Sequence, residues 1–202
     1  MPSIYELKPL FQNILKPFMR LLYKLKVTPN QVTIISVVLS CLVGMLVFFY
    51  VEAVWIFYLV PVFLFIRMGM NALDGMLAKE YHMRTNIGVF LNELGDIVSD
   101  IFLYSPLITL VGTFNWLIIG TVLLSVISEA TGMVAVQIGA KRRFDGPMGK
   151  SDRAFWFGLI YLLLGLGIKS GMWINYVVIV IMIFLLVTIN NRIKNALKEV
   201  CK

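Results

Sequence analysis

Charge is scarce in this chain of 202 residues, because Asp, Glu, Lys and Arg make up only 14% of it while hydrophobic residues make up 59%. So little charge excludes an ordinary soluble domain. Cysteine and histidine are almost absent as well. Cys41 falls in a hydrophobic segment and Cys201 near the C-terminus, so neither a disulfide nor a zinc site is indicated. The single histidine, His82, lies in a short basic loop and is interpreted as solvated rather than catalytic.

Three stretches contain no charged residue at all: 27–51, 101–128 and 170–191. Each is long enough to cross a hydrocarbon core of about 30 Å. The 101–128 stretch exceeds one crossing, and Gly112-Thr-Phe-Asn115 supplies turn-forming residues at its middle. We therefore predict an all-α integral membrane protein with six transmembrane helices, over 31–51, 53–77, 88–112, 116–139, 154–169 and 172–191.

The N-terminal segment has a different pattern, because apolar residues recur at near-helical spacing from Tyr5 to Leu25 with lysine and arginine between them. This pattern is typical of an amphipathic interfacial helix on anionic lipid, and a helix packed on a partner is the alternative. No cleavage site of a signal peptide is expected. The chain is thus divided into a cytoplasmic amphipathic helix (1–26), a six-helix catalytic domain (27–192) and a basic cytoplasmic tail (193–202).

Lysine and arginine predict the orientation in the membrane. They cluster before the first span, between the second and third, between the fourth and fifth, and after the last, whereas the opposite side has only Lys169. Short cytoplasmic loops retain positive charge, so both termini are expected in the cytoplasm of a multi-pass protein of a cell (inner) membrane, bacterial or archaeal. The same residues account for most of the net charge of +7, so no nucleic acid partner is indicated.

Polar residues interrupt the second and third spans where the two meet. One glycine and five oxygen-bearing side chains recur there at helical spacing: Asn71, Asp74, Gly88, Asn92, Asp96 and Asp100. Positions three or four apart share a helix face, so two polar ridges are expected. Mg²⁺ and Mn²⁺ accept carboxylate and amide oxygens and keep positions open for substrate phosphates. The sequence therefore predicts a divalent metal site suited to a diphosphate.

The pattern Asn71-x-x-Asp74-Gly75-x-x-Ala78-Lys79, followed by Gly88-x-x-x-Asn92-x-x-x-Asp96, resembles the signature of the CDP-alcohol phosphotransferase family. Pro29-Asn30-x-x-Thr33 and the six-span layout extend the resemblance over essentially the whole chain. The resemblance implies transfer of a phosphatidyl-type group from CDP-diacylglycerol, or a similar CDP-lipid, to an alcohol acceptor. CMP is released, the pathway is phospholipid biosynthesis, a divalent metal takes part, and the enzyme is a homodimer in the lipid bilayer.

The resemblance also implies roles for single residues. Asp96 is the catalytic base, and the metal ligands are Asp74, Asn71, Asn92 and Asp96. The residues that bind the nucleotide or diphosphate are Gly75, Ala78, Lys79, Gly88, Asn30 and Thr33. Either glycine could equally serve tight helix packing. The family has aspartate at 71 and 92 and arginine at 79. Because asparagine lacks the charge of aspartate, we predict a weaker or single-metal site with Asp74 as the principal ligand.

Charged residues outside the motif form two further groups. Arg67, Asp100 and Glu129 lie within spans, where charge is costly, so we expect Arg67 to pair with Asp100, Glu129 or both in support of the site. Contact of Arg67 with a substrate phosphate is the alternative. The second group consists of cations that are candidates to bind the phosphate of a phosphorylated acceptor: Arg142, Arg143, Lys150 and Arg153. A role in setting the membrane topology, or in binding anionic lipid headgroups, explains these cations equally well.

Two other functions stay open at this point. The Asn71 and Asn92 substitutions are consistent with a catalytically altered or inactive family member that acts as a CDP-lipid-binding scaffold. Charges within the spans would also suit a small transporter or channel, but the helices show no broken pair or internal repeat of the kind that forms a transport site.

Overall fold

The structure is a computed structural model that describes the backbone from Ile4 to Cys201 and the side chains from Phe11 onward. The expectations for residues 1–3, for Lys202 and for the side chains of residues 4–10 lie outside the described part. Seven α-helices and two short 3-10 segments make up the described chain, which contains no strand. The helices are α1 (Ile4–Lys24), α2 (Pro29–Phe49), α3 (Val54–Glu80), α4 (Asn86–Tyr104), α5 (Asn115–Val134), α6 (Lys150–Gly165) and α7 (Met172–Val200). The 3-10 segments are Ser105–Thr109 and Ala135–Ile138.

The prediction of an all-α membrane fold is confirmed, with four helices long and apolar enough to span a membrane: Pro29–Phe49, Val54–Glu80, Asn115–Ile138 and Met172–Val200. The other two predicted spans also coincide with helices, but they differ in character. Helix α4 carries three carboxylates, and α6 has 16 residues, about 24 Å at the usual rise. Six crossings therefore stay a prediction. Helix α7 continues to Val200, through most of the segment expected as a tail.

Capping interactions fix the starts of α2 and α4, which flank the motif segment of α3. At the start of α2, the Thr28 hydroxyl accepts from the Gln31 amide at 3.3 Å, and the Gln31 side chain accepts from the Thr28 amide at 2.9 Å. At the start of α4, the Thr85 hydroxyl accepts from the Gly88 amide at 3.0 Å. The Asn30 amide group donates to the same Thr85 hydroxyl at 3.1 Å, which joins the two helix starts.

Close packing of α2 on α4 depends on glycine. A Cβ atom at Gly44 would lie 2.2 Å from the carbonyl oxygen of Phe102, so only glycine allows this approach. Deeper in the bundle the ring of Tyr104 stacks on Phe157, with centroids 3.9 Å apart, within the main apolar core. The outward faces of the helices expose large apolar side chains such as Phe65, as expected of surfaces that face lipid.

Helix α1 packs on α3 through Met19, which is fully buried. Its opposite side exposes Ile14, Phe18 and Leu21, which recur at three- and four-residue steps along one face, and the exposed Leu25 follows directly after the helix. An exposed apolar face suits a helix lying in the membrane interface, and that placement stays a prediction.

The chemistry-bearing residues meet at one end of the bundle, which we name the motif end. It consists of the start of α2, the end of α3, the starts of α4 and α6, the ends of α5 and α7, and the loop 139–149.

Candidate active site

Asp74 is buried at the motif end without a cationic partner. Its Oδ2 atom accepts a hydrogen bond of 2.7 Å from the hydroxyl of Thr33 on α2. Its Oδ1 atom is buried and has no hydrogen-bond partner. None of the ion pairs found among the described residues includes Asp74. A buried carboxylate with an unsatisfied oxygen is costly unless a ligand completes its coordination.

Asp96, in contrast, is surrounded by donors. Its Oδ1 atom accepts from the Arg67 guanidinium at 3.1 Å and from the Asn71 side-chain amide at 2.9 Å. Its Oδ2 atom accepts from the ammonium of Lys150 at the start of α6. The side chain of Lys150 is 32% exposed and that of Arg67 only 4%, so Lys150 is the charged partner more accessible to an entering substrate.

Asn71 gains a specific contact from being an amide. An aspartate here would place a second carboxylate next to Asp96, whereas the asparagine donates a hydrogen bond to it. Asn71 therefore stabilises Asp96 directly, whereas two carboxylates at these positions would need a cation between them.

Asp100 joins three helices one turn below Asp96. Its Oδ1 atom accepts from Arg67 of α3 at 2.9 Å, and its Oδ2 atom accepts from Arg153 of α6 at 2.8 Å. The predicted pair of Arg67 with Asp100 is thus present. Arg67 does not contact Glu129, which instead lies among other arginines.

Glu129 of α5 is held by three guanidinium groups. Its Oε2 atom accepts from Arg142 at 2.9 Å and its Oε1 atom from Arg153 at 3.0 Å. Arg192 of α7 lies 3.6 Å from the same Oε1 atom. We name Arg142, Arg153 and Arg192 the arginine cluster.

The loop 139–149 is fixed by further ion pairs. Both oxygens of Glu93 accept from Arg142, at 2.8 and 2.7 Å. Burial lowers the pKa of Arg142, but its bonds to Glu93 and Glu129 outweigh this and raise it. Arg143 is bidentate to Asp145, at 2.6 and 2.8 Å, and this contact raises the pKa of the guanidinium. Burial would raise the pKa of Asp145, yet Arg143 outweighs it and holds that pKa below its ordinary value.

The two glycines of the motif have different surroundings. A Cβ atom at Gly75 would meet nothing within 4 Å, so the backbone of α3 faces open space there. A Cβ atom at Gly88 would lie 2.6 Å from Oδ1 of Asn30 and 3.0 Å from Oγ1 of Thr85. Gly88 therefore permits the contact between the starts of α2 and α4, while Gly75 leaves the helix backbone accessible.

Gly75 opens into a cleft of about 640 Å³ between α1 and α3. The polar side chains that line it from α1 are Gln12, Asn13 and Lys16. From α3 it is lined by Asn71 and Lys79 among others. The cleft is large enough for a nucleotide-sized ligand.

A family model described as CDP-alcohol phosphatidyltransferase matches residues 26–190. The chain belongs to this family. It is also similar to "Inner membrane protein YnbA" of Escherichia coli, with 41% identity over 195 residues, 96% of each chain. An uncharacterised protein of Aquifex aeolicus is 31% identical over 105 residues, half of each chain. The resemblance found in the motif is thereby confirmed.

The divalent metal that the sequence resemblance implies can be compared with these donors. The described residues contain no group of three or more His, Cys, Asp or Glu side chains placed to hold a metal ion. The orphaned Oδ1 atom of Asp74 nevertheless fits a cation, and the side chain of Asn92 lies near the same carboxylate. Asp96 has its oxygens occupied by donors of the chain. The residues present therefore fit one metal centred on Asp74 better than a pair.

The cations predicted to bind an acceptor phosphate are already paired within the chain. Arg142 pairs with Glu93 and Glu129, and Arg143 with Asp145 and Glu199. Lys150 pairs with Asp96. Arg153 is fully buried between Asp100 and Glu129, so it lies inside the bundle rather than on the surface.

Sequence reasoning missed several residues of the site. The sequence indicated Arg192 only as one of the cations after the last span, because that span was expected to end at residue 191. In the structure Arg192 is 1% exposed and lies inside the bundle. Its spacing of four from the buried Thr188 could have placed it on the inner face of α7. The role of α1 as a wall of the cleft had no signal in its amphipathic pattern.

Proposed function

We propose that this protein moves a phosphatidyl-type group from CDP-diacylglycerol, or a similar CDP-lipid, to the hydroxyl of an alcohol and releases CMP, as a step of phospholipid biosynthesis. Family membership supports the reaction class. The observation that carries the proposal is the buried, unpaired Oδ1 atom of Asp74, the residue that precedes Gly75 of the cleft. A diphosphate with its cation supplies what this carboxylate lacks.

The nucleotide diphosphate is proposed to lie in the cleft between α1 and α3. Gly75 lets it approach the backbone, while Lys79 and Lys16 provide positive charge on opposite walls. Thr33 orients the Asp74 carboxylate from α2. When Mg²⁺ or Mn²⁺ is bound, it offsets the charge that develops on CMP as the diphosphate breaks. Asp74 is its proposed principal ligand, with the amide oxygens of Asn71 and Asn92 available to assist.

Asp96 is proposed to accept the proton of the acceptor hydroxyl. In the structure its carboxylate accepts from Arg67, Asn71 and Lys150, so one donor has to give way before it can act as a base. Lys150 is the most exposed of the charged donors, and we propose that the acceptor hydroxyl takes its place. Arg67 then holds the carboxylate in position during the transfer.

We further propose that the enzyme works as a homodimer in an inner membrane, with both termini and the motif end in the cytoplasm. The charged loops at the motif end support the orientation. The printed name of the E. coli relative supports the location.

A non-catalytic CDP-lipid-binding scaffold is the second candidate. It is favoured by the contact between Asn71 and Asp96, which stabilises the site without metal and leaves Asp96 fully hydrogen-bonded. A scaffold would keep the cleft and lose the reaction.

The test is CMP release by the purified protein in nanodiscs with CDP-diacylglycerol, Mn²⁺ and a panel of free and phosphorylated alcohols. We expect release with at least one acceptor, reduced at least about 100-fold by Asp74→Asn and by Asp96→Asn. Glu52→Gln is the matched control, because this carboxylate lies outside the motif end, between α2 and α3. Binding of CDP-diacylglycerol without release for any acceptor would establish the scaffold instead.

A further inference from the structure

The arginine cluster surrounds one carboxylate inside the bundle. Arg153 is fully buried, Arg192 is 1% exposed, and Glu129 is 3% exposed. The three arginines come from the loop 139–149, α6 and α7, and all of them reach Glu129 of α5. Four separate parts of the chain are thus joined at a single anion.

Such an arrangement has the chemistry of a phosphate pocket. Guanidinium groups bind carboxylate and phosphate oxygens through paired N–H donors, and several of them around one point suit an anion with several oxygens. Buried guanidinium groups require an anion, because an uncompensated charge in the interior is very costly. Here the anion belongs to the chain itself.

The cluster is connected to the reacting residues. Arg153 donates to Glu129 at 3.0 Å and to Asp100 at 2.8 Å. Asp100 also accepts from Arg67, which donates to Asp96. An acceptor with its hydroxyl at Asp96 therefore has this cluster, rather than an open cationic surface, on the α5 side of the site.

The other cations in ion pairs at the motif end also have carboxylate partners. The ion pairs of the described residues link six cations with six carboxylates in two separate groups. Arg143 pairs with Asp145 and Glu199, while the network around Glu129 links five cations with four carboxylates and carries an excess of only one positive charge. A phosphate dianion that entered this network would have to displace a buried carboxylate or remain partly unpaired.

We propose that Glu129 occupies the position of an acceptor phosphate, so that the acceptor of this enzyme is an alcohol without a phosphate group. The inference rests on the proposed transferase function. Glu129 is then a specificity-determining residue, which excludes phosphorylated alcohols by filling the arginine cluster, while Glu93 and Asp100 pair with two of its arginines.

The experiment compares glycerol with glycerol 3-phosphate, and inositol with inositol 1-phosphate, in the CMP-release assay of the wild-type protein. We expect the free alcohol of at least one pair to be preferred at least about 10-fold in kcat/KM. Preference for the phosphorylated member would overturn the proposal. Because this comparison uses the wild-type protein, it does not depend on the folding of a variant.

A second measurement uses inorganic phosphate as the probe and thermal unfolding as the readout. Glu129→Gln removes the internal anion, so phosphate should raise the unfolding midpoint of this variant and leave that of the wild type unchanged. Glu199→Gln is the matched control, because it removes one of the two carboxylate partners of Arg143 at a site where that carboxylate is 32% exposed, and it should behave as the wild type does. Equal stabilisation of all three proteins would contradict the proposal.

The two measurements separate the two proposals. If the wild type releases no CMP with any acceptor, the transferase function fails. The phosphate titration still reports whether Glu129 fills an anion pocket. If CMP is released but only phosphorylated alcohols serve, the function stands and the inference about Glu129 fails.

Discussion

The two aspartates that this chain retains from its family's motif lie in opposite environments. Asp74 has one hydroxyl partner and an orphaned oxygen. Asp96 has three donors and belongs to a continuous network of ion pairs. The α2–α3 half of the site is therefore incomplete without a ligand, whereas the α4–α6 half is complete in itself.

This difference assigns separate tasks to the two halves. An unpaired buried carboxylate favours binding of a cation and its diphosphate, since folding alone leaves it unsatisfied. A paired network instead fixes the relative positions of the helices that carry Asp96, and it resists the entry of further charge. The following changes are expected to disturb one half and spare the other.

The largest effect on folding is expected from Arg153→Met. This change leaves the buried Asp100 and Glu129 short of a partner, which typically costs about 3–5 kcal/mol of stability. Arg143→Met is the control, because the partners of Arg143 are about one-third exposed and its loss should cost about 1 kcal/mol or less. Thermal unfolding in detergent measures both. Similar losses would show that the buried network has no special importance.

A smaller effect is expected from Asn71→Asp. Asn71 of α3 contacts Asp96 of α4 and so connects the two halves of the site. The new carboxylate replaces a donor 2.9 Å from Asp96, so stability without divalent metal should fall by about 1–3 kcal/mol. Added Mn²⁺ should then stabilise the variant more than it stabilises the wild type. The exposed Asn190→Asp change, on α7, controls for added charge. A variant as stable as the wild type in chelator, with the same response to Mn²⁺, would contradict the role given to Asn71.

Effects no larger than this are expected from alanine at the two motif glycines. Gly88→Ala should lower stability by about 1–3 kcal/mol, because its methyl group would lie 2.6 Å from Oδ1 of Asn30. Gly75→Ala should not lower the unfolding midpoint, because its methyl group meets nothing within 4 Å and alanine favours a helix interior, and it should raise the KM for CDP-diacylglycerol. Each glycine is the control for the other. A loss of stability in Gly75→Ala and a raised KM in Gly88→Ala would contradict these two roles.

The fold was largely predictable because membrane helices depend on local sequence. Uncharged stretches determine where helices lie, and Gly112 with Asn115 correctly indicated the turn before α5. The pairing of Arg67 with Asp100 was also predictable, since both face the bundle at adjacent depths and a charge there needs a partner.

The arrangement of the site was less predictable because it depends on contacts between distant segments. The partners of Glu129 come from the loop 139–149, α6 and α7, and their distances along the chain carry no periodic signal. The distinction between Gly75 and Gly88 depends on Asn30, which lies across a helix interface. Sequence spacing indicates which residues share a helix face, but only tertiary packing determines which residues of other segments lie opposite that face.

The central claim is that the ligand-binding half of the site is centred on Asp74 and not on Asp96. Binding of Mn²⁺ in the presence of CDP-diacylglycerol, followed by electron paramagnetic resonance, tests it in the wild type, Asp74→Asn and Asp96→Asn. We predict that Asp74→Asn loses the bound Mn²⁺ signal, whereas Asp96→Asn retains it although CMP release is lost. Loss of the signal in Asp96→Asn, with retention in Asp74→Asn, would contradict the account.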